Sequence, residues 1–221
     1  MSGLKKHKFK KNIFGIIGLA VIPLHSFLLS LKGPFDNLWE RLVLVTFSQI
    51  GARYGAIEEL IIWGLLSAFY YFTIFDYLLF LSSTELPLIK LTLAFSGLSI
   101  LIIVFLPFAP TMFPIASETH NTLSYVAGVA IVLTLLIFVF SFWNRDRKLF
   151  YKSFFILLVG VAVLLAMMMI IGVSSLFQIA LSGFLCAFLF LELIFLEKSD
   201  KIDIFEKLRG AEEEDFFGFG G

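Results

Sequence analysis

Ala56-Ile57-Glu58-Glu59-Leu60-Ile61-Ile62-Trp63-Gly64-Leu65-Leu66 opens an apolar run that continues to about Leu81. Its length decides the fold: about 20 helical apolar residues cross the ~30 Å hydrocarbon core of a bilayer. The adjacent carboxylates at its mouth are costly there. Ionisable groups at membrane depth are rare and usually face a bundle interior or a water-filled cavity. Glu58 and Glu59 are therefore the first candidates for function.

Five more such runs lie on either side. Span one covers Ile13 to Leu31, with Pro23 expected to kink it and His25 in its second half. Lysines precede it as in a secretory signal, but no small-x-small site follows, so it reads as a retained span. Span three covers about Leu88 to Pro107, span four Thr122 to Trp143, span five Phe154 to Val173 and span six Gln178 to Leu196. Residues 42–50 are apolar but too short to cross and read as an interfacial or re-entrant segment. Pro107, Pro110 and Pro114 predict an irregular connection ending in Ser117-Glu118-Thr119-His120-Asn121.

Composition agrees. The chain is 59% hydrophobic and 15% charged, with 28 Phe. A soluble domain carries about 25% charge. The expected fold is all-α, a polytopic bundle of six transmembrane helices over residues 12–196. Residues 1–11 form a basic terminus, and residues 197–221 a charged, disordered tail. Zero net charge excludes nucleic acid as an expected partner. Cys186 is the sole cysteine, so no disulfide forms within this chain.

Six spans place both termini on one side. Of the 17 Lys and Arg, all but Lys32, Arg41 and Arg53 fall on that side. The positive-inside rule then predicts N-in, C-in, in the plasma membrane. Trp39 and Trp143 fall at predicted interfaces. Ser124/Gly128, Ala162/Ala166 and Gly183/Ala187 have the spacing of close helix contacts. Met167-Met168-Met169 reads as core filler.

This topology gathers polar groups. His25, Glu58, Glu59, Glu118, His120 and Gln178 all fall at the outer side, with Arg53 nearby. Asp76 and Glu192 fall near inner span ends, where water contact is expected. The bland reading makes the outer carboxylates helix caps, favoured by the macrodipole. The sharper reading makes His25, Arg53, Glu58, Glu59, Glu118, His120 and Gln178 a ligand-binding pocket for a lipid head group or small ligand. That reading is a membrane-lipid-binding protein rather than an enzyme. An alternative is a metal-dependent intramembrane hydrolase. His25, Glu58, Glu59, Glu118 and His120 are its candidate ligands for Zn²⁺, and Glu58, Glu59 and His120 its catalytic candidates. A third is a partner subunit that docks through the acidic Phe-Gly tail, residues 210–221.

Glu58-Glu59-Leu60-Ile61-Ile62-Trp63-Gly64 resembles the E-E-x-x-x-R-G start of the CAAX-prenyl protease and bacteriocin-immunity family. That resemblance implies water activation by Glu58 and Glu59. It covers one helix: Trp63 replaces the Arg, and Ala116 and Ser124 break the motifs expected around His120. Over nearly its whole length the chain is similar to a prokaryotic six-span membrane family of unknown function. That family is distantly related to eukaryotic lipid-remodelling and autophagy-modulator proteins. The matching features are Ser48-Gln49-Ile50-Gly51, Leu60 to Leu66, Phe113-Pro114 followed by His120, and Gln178. The family's frequent Asn near span two is Glu58-Glu59 here. This resemblance implies architecture and no established activity.

Overall fold

The computed structural model describes residues 3–106, 108–199 and 202. Every regular element among them is a helix. α1 (Gly3–Ile16) passes through a π-helical turn (Ile17–Val21) into α2 (Ile22–Ser30). Two short helices follow, α3 (Leu38–Val43) and α4 (Phe47–Arg53). Then come α5 (Ile57–Ser82), α6 (Pro87–Phe105), α7 (Pro114–Phe140), α8 (Arg147–Ile171) and α9 (Ser175–Glu197). Six helices are long and apolar enough to cross a membrane, the first being Leu4–Ser30. The chain is a multi-pass membrane protein.

Local chemistry sets the boundaries. Asn37, Thr46, Asp146 and Ser174 each use a side-chain oxygen to accept a first-turn N–H of the helix that follows. Pro87 and Pro114 occupy first helical positions, where the missing N–H would find no partner anyway. Pro114 therefore starts α7 rather than prolonging a loop. Span four begins eight residues earlier than its sequence suggests, and Glu118, His120 and Asn121 are helical. The capping role expected for Glu118 does not arise. At the other end of the chain, α8 stops at Gly172, whose φ of +67° suits a residue without Cβ.

The spans alternate in direction. His7 on α1 meets Tyr77 near the end of α5 and Glu197 at the end of α9. Ser175, at the start of α9, bonds Val45 beside α4. Both described ends of the chain therefore lie at one end of the bundle, with α3, α4 and the start of α5 at the other. α9 is the hub and packs on α1, the π turn, α2, α3, α5 and α8. α6 packs chiefly on α7 and α5. Its partners meet in a phenylalanine core: Phe138 lies 5.2 Å from Phe75 and 4.9 Å from Phe142 between ring centroids.

Several expectations change. Residues 42–50 hold the end of α3 and the start of α4, and α4 runs on through Gly51 to Arg53, where the sequence suggested a break. The basic residues before span one are part of α1. A π turn directly precedes Pro23 and widens the helix where its ring would meet a carbonyl. Gly128 and Gly183 face open space, so they mark no close helix contact. Close approaches occur instead at Gly64, against Val104, and at Gly18, against Tyr70. Met169 is 84% exposed and faces the lipid side rather than a core. Glu192 is completely buried, not water-accessible.

Candidate functional site

At the end opposite the termini the polar side chains form two layers. The inner layer is built around α4. Thr46 and Gln49 close a capping box: Thr46 Oγ1 accepts from Gln49 N–H at 3.2 Å, and Gln49 Oε1 accepts from Thr46 N–H at 2.9 Å. Phe47 N–H donates to Gln178 Oε1 of α9 at 2.7 Å. Val45 C=O accepts from both Ser175 N–H, at 2.7 Å, and Ser175 Oγ, at 2.8 Å. Phe47, Ile50 and Gly51 are buried. A Cβ on Gly51 would lie 2.6 Å from a Leu60 methyl, so only glycine lets α4 sit this close to α5.

His120 reaches α4 from α7. It is buried, with Phe108 against its ring at 5.4 Å. Its Nδ1 lies 3.2 Å from Leu106 C=O, which can only accept. The hydrogen-bond network therefore assigns the proton of the neutral ring to Nδ1. Nε2 is left as an acceptor, and Ser48 Oγ–H donates to it at 2.7 Å. Below, Trp63 Nε1–H donates to Ser26 Oγ at 2.8 Å, and Ser26 lies 3.3 Å from Ser182 Oγ.

The outer layer is a charged rim. His25 Nε2–H donates to Glu59 C=O at 3.1 Å, bridging α2 to α5. The Glu59 carboxylate pairs with Lys32 at 3.2 Å. Glu58, Arg53 and Glu118 are exposed. Arg41 turns back and donates to the carbonyls of Leu31 and Phe35, fixing the loop that carries Lys32.

The sequence-derived set thus divides. His25 and Glu59 meet at the rim, joined by Lys32. His120 and Gln178 both hold α4, through different partners. Among the described residues, no three His, Cys, Asp or Glu side chains converge where a metal ion could be held. The tail of residues 210–221 lies outside the described residues.

Sequence reasoning missed Ser48, Ser26 and Ser175, whose hydroxyls look like ordinary small residues in apolar runs. It also missed a second polar layer at the termini. His7 is buried, with Nδ1 2.6 Å from Tyr77 Oη and Nε2 2.6 Å from Glu197 Oε1. Lys11 pairs with the same carboxylate, and Lys10 lies over the Tyr77 ring at 4.7 Å. Nearby, Ser153 Oγ–H donates to one oxygen of buried Glu192 at 2.9 Å. The other oxygen has no hydrogen-bond partner among the described residues. His7 sits among five lysines, and that charge run conceals it.

Comparison with protein-family models, with curated proteins and with solved structures returns no match.

Proposed function

We propose that the charged rim binds a zwitterionic lipid head group at the outer leaflet of the plasma membrane. The observation that carries this is the half-exposed Lys32–Glu59 pair, with exposed Glu58 and Arg53 close by in sequence. Both signs of charge sit together where α5 enters the membrane. A phosphate would take Lys32 and Arg53; an ammonium would take Glu58 and Glu59. The buried layer beneath gives the rim a rigid floor, because α4 is tied to α7 and α9 by side-chain hydrogen bonds. An exposed ion pair contributes little to stability, typically 0–1 kcal/mol, so these charges are available for exchange with a ligand. The outward orientation rests on the distribution of Lys and Arg.

Native mass spectrometry of protein released from mild detergent tests this. The wild type should retain a phospholipid adduct that Lys32→Ala with Glu59→Ala loses. Equal retention by both proteins would overturn the reading.

A further inference from the structure

We propose that Ser48 and His120 form a nucleophile–base pair for acyl transfer, acting on carboxylic ester bonds of membrane lipids. Such a pair needs a hydroxyl within about 2.6–3.2 Å of a base that a third group orients. Ser48 Oγ donates to His120 Nε2 at 2.7 Å, and Leu106 C=O holds the Nδ1 proton on the far side of the ring. The backbone carbonyl does what a carboxylate does in a catalytic triad: it fixes the tautomer that leaves Nε2 basic. Phe108 packs on the ring and limits its rotation.

The competing view is that this hydrogen bond only anchors α4. But α4 is already fixed without it. Its first turn is capped by Thr46 and Gln49, its first N–H by Gln178, and the preceding carbonyl by Ser175 twice. The burial pattern also suits chemistry. His120 is 4% exposed while Ser48 is half-buried, so the base is shielded and the hydroxyl can be approached.

Depth selects the substrate. His120 is six residues into α7, about 9 Å along it at 1.5 Å per residue. All 27 residues of α7 extend about 40 Å, against ~30 Å of hydrocarbon. His120 therefore lies close to the boundary where lipid ester carbonyls sit. Leu101, Ile102, Phe105 and Leu106 line an open apolar patch at the end of α6, which adjoins the site through Leu106.

Ser48 Oγ bonds to the ester carbonyl carbon while its proton moves to Nε2. The tetrahedral species collapses, the acyl–alkoxy C–O bond breaks, and Nε2–H protonates the leaving alcohol. Ser48 now carries the acyl group. Water, losing a proton to Nε2, attacks the acyl carbon; the acyl–Oγ bond breaks, Nε2–H returns that proton to Ser48 Oγ, and the carboxylic acid leaves.

The test uses the full chain in detergent micelles and a long-chain alkyl fluorophosphonate. The wild type should be labelled at Ser48, located by peptide mass spectrometry. His120→Gln should slow labelling by about 100-fold or more, the scale of a general base. Ser48→Cys provides a second measure: alkylation of the thiol by iodoacetamide should be faster with His120 than with His120→Gln. An unlabelled wild type, or labelling unchanged in His120→Gln, would overturn the proposal. Labelling of Ser48 is read without any lipid adduct, so failure here is separate from failure of the rim.

Discussion

His7 and Glu197 stand 190 positions apart and meet through Nε2 and Oε1 at 2.6 Å. The contact ties the first helix to the last. Tyr77 occupies the other ring nitrogen, so three spans share one imidazole. His7→Ala should lower stability by about 1–3 kcal/mol, since it leaves buried polar groups unpaired. His7→Gln should cost less. Thermal unfolding in detergent, followed by intrinsic fluorescence, measures both.

Gly64 predicts a steric effect. A Cβ there would lie 2.1 Å from Val104 Cγ2, and valine is stiff about χ1. Gly64→Ala should therefore destabilise by about 1–3 kcal/mol. Gly128→Ala, with open space at its Cβ, should change stability by no more than about 0.5 kcal/mol. Equal effects at the two positions would contradict the packing of α5 on α6.

Gln178 predicts a local effect. Replacing it by Leu removes the acceptor for Phe47 N–H. The start of α4 should open more often, while the bundle stays folded. A cysteine at exposed Ala52 should then react faster with a soluble maleimide, at unchanged melting temperature within a few degrees.

Glu192 predicts an asymmetry. Ser153→Ala alone should destabilise by about 1–3 kcal/mol, because it leaves both carboxyl oxygens of a buried group without a partner. Glu192→Met combined with Ser153→Ala should be neutral or stabilising, since no polar atom is then stranded. A double variant weaker than the single would show that the carboxyl group is needed for the fold.

The spans were legible because lipid imposes a simple demand on long apolar runs. The apolar residues after Glu59 announce α5 without help from any other residue. The boundaries were less legible where one residue type serves two purposes. Pro114 punctuates loops and also starts helices, and only the helix-start role fits its neighbours in α7. At the candidate site, Glu59, His25, His120 and Gln178 stood out as polar groups in apolar surroundings. Their partners did not. Ser48 and Lys32 gain meaning only once α7 meets α4 and α2 meets α5, and hydropathy carries no information about those pairings. His7 was hidden by the opposite problem, since the lysines around it read as one solvated run.

The π turn at Ile17–Val21 gives the first span two rotational phases. Phe14, Gly18, Ile22 and Ser26 are all buried at intervals of four residues. A regular helix, at 3.6 residues per turn, would drift by about 120° over those twelve residues and carry Ser26 out of the core. The wider turn absorbs that drift. It works as a phase shifter, letting one continuous helix face the bundle both at His7 and at Ser26. Removing a single residue between Ile17 and Val21 would leave hydropathy and length almost unchanged. Yet it would turn one half of the span about 100° against the other, so the two polar layers could no longer both close.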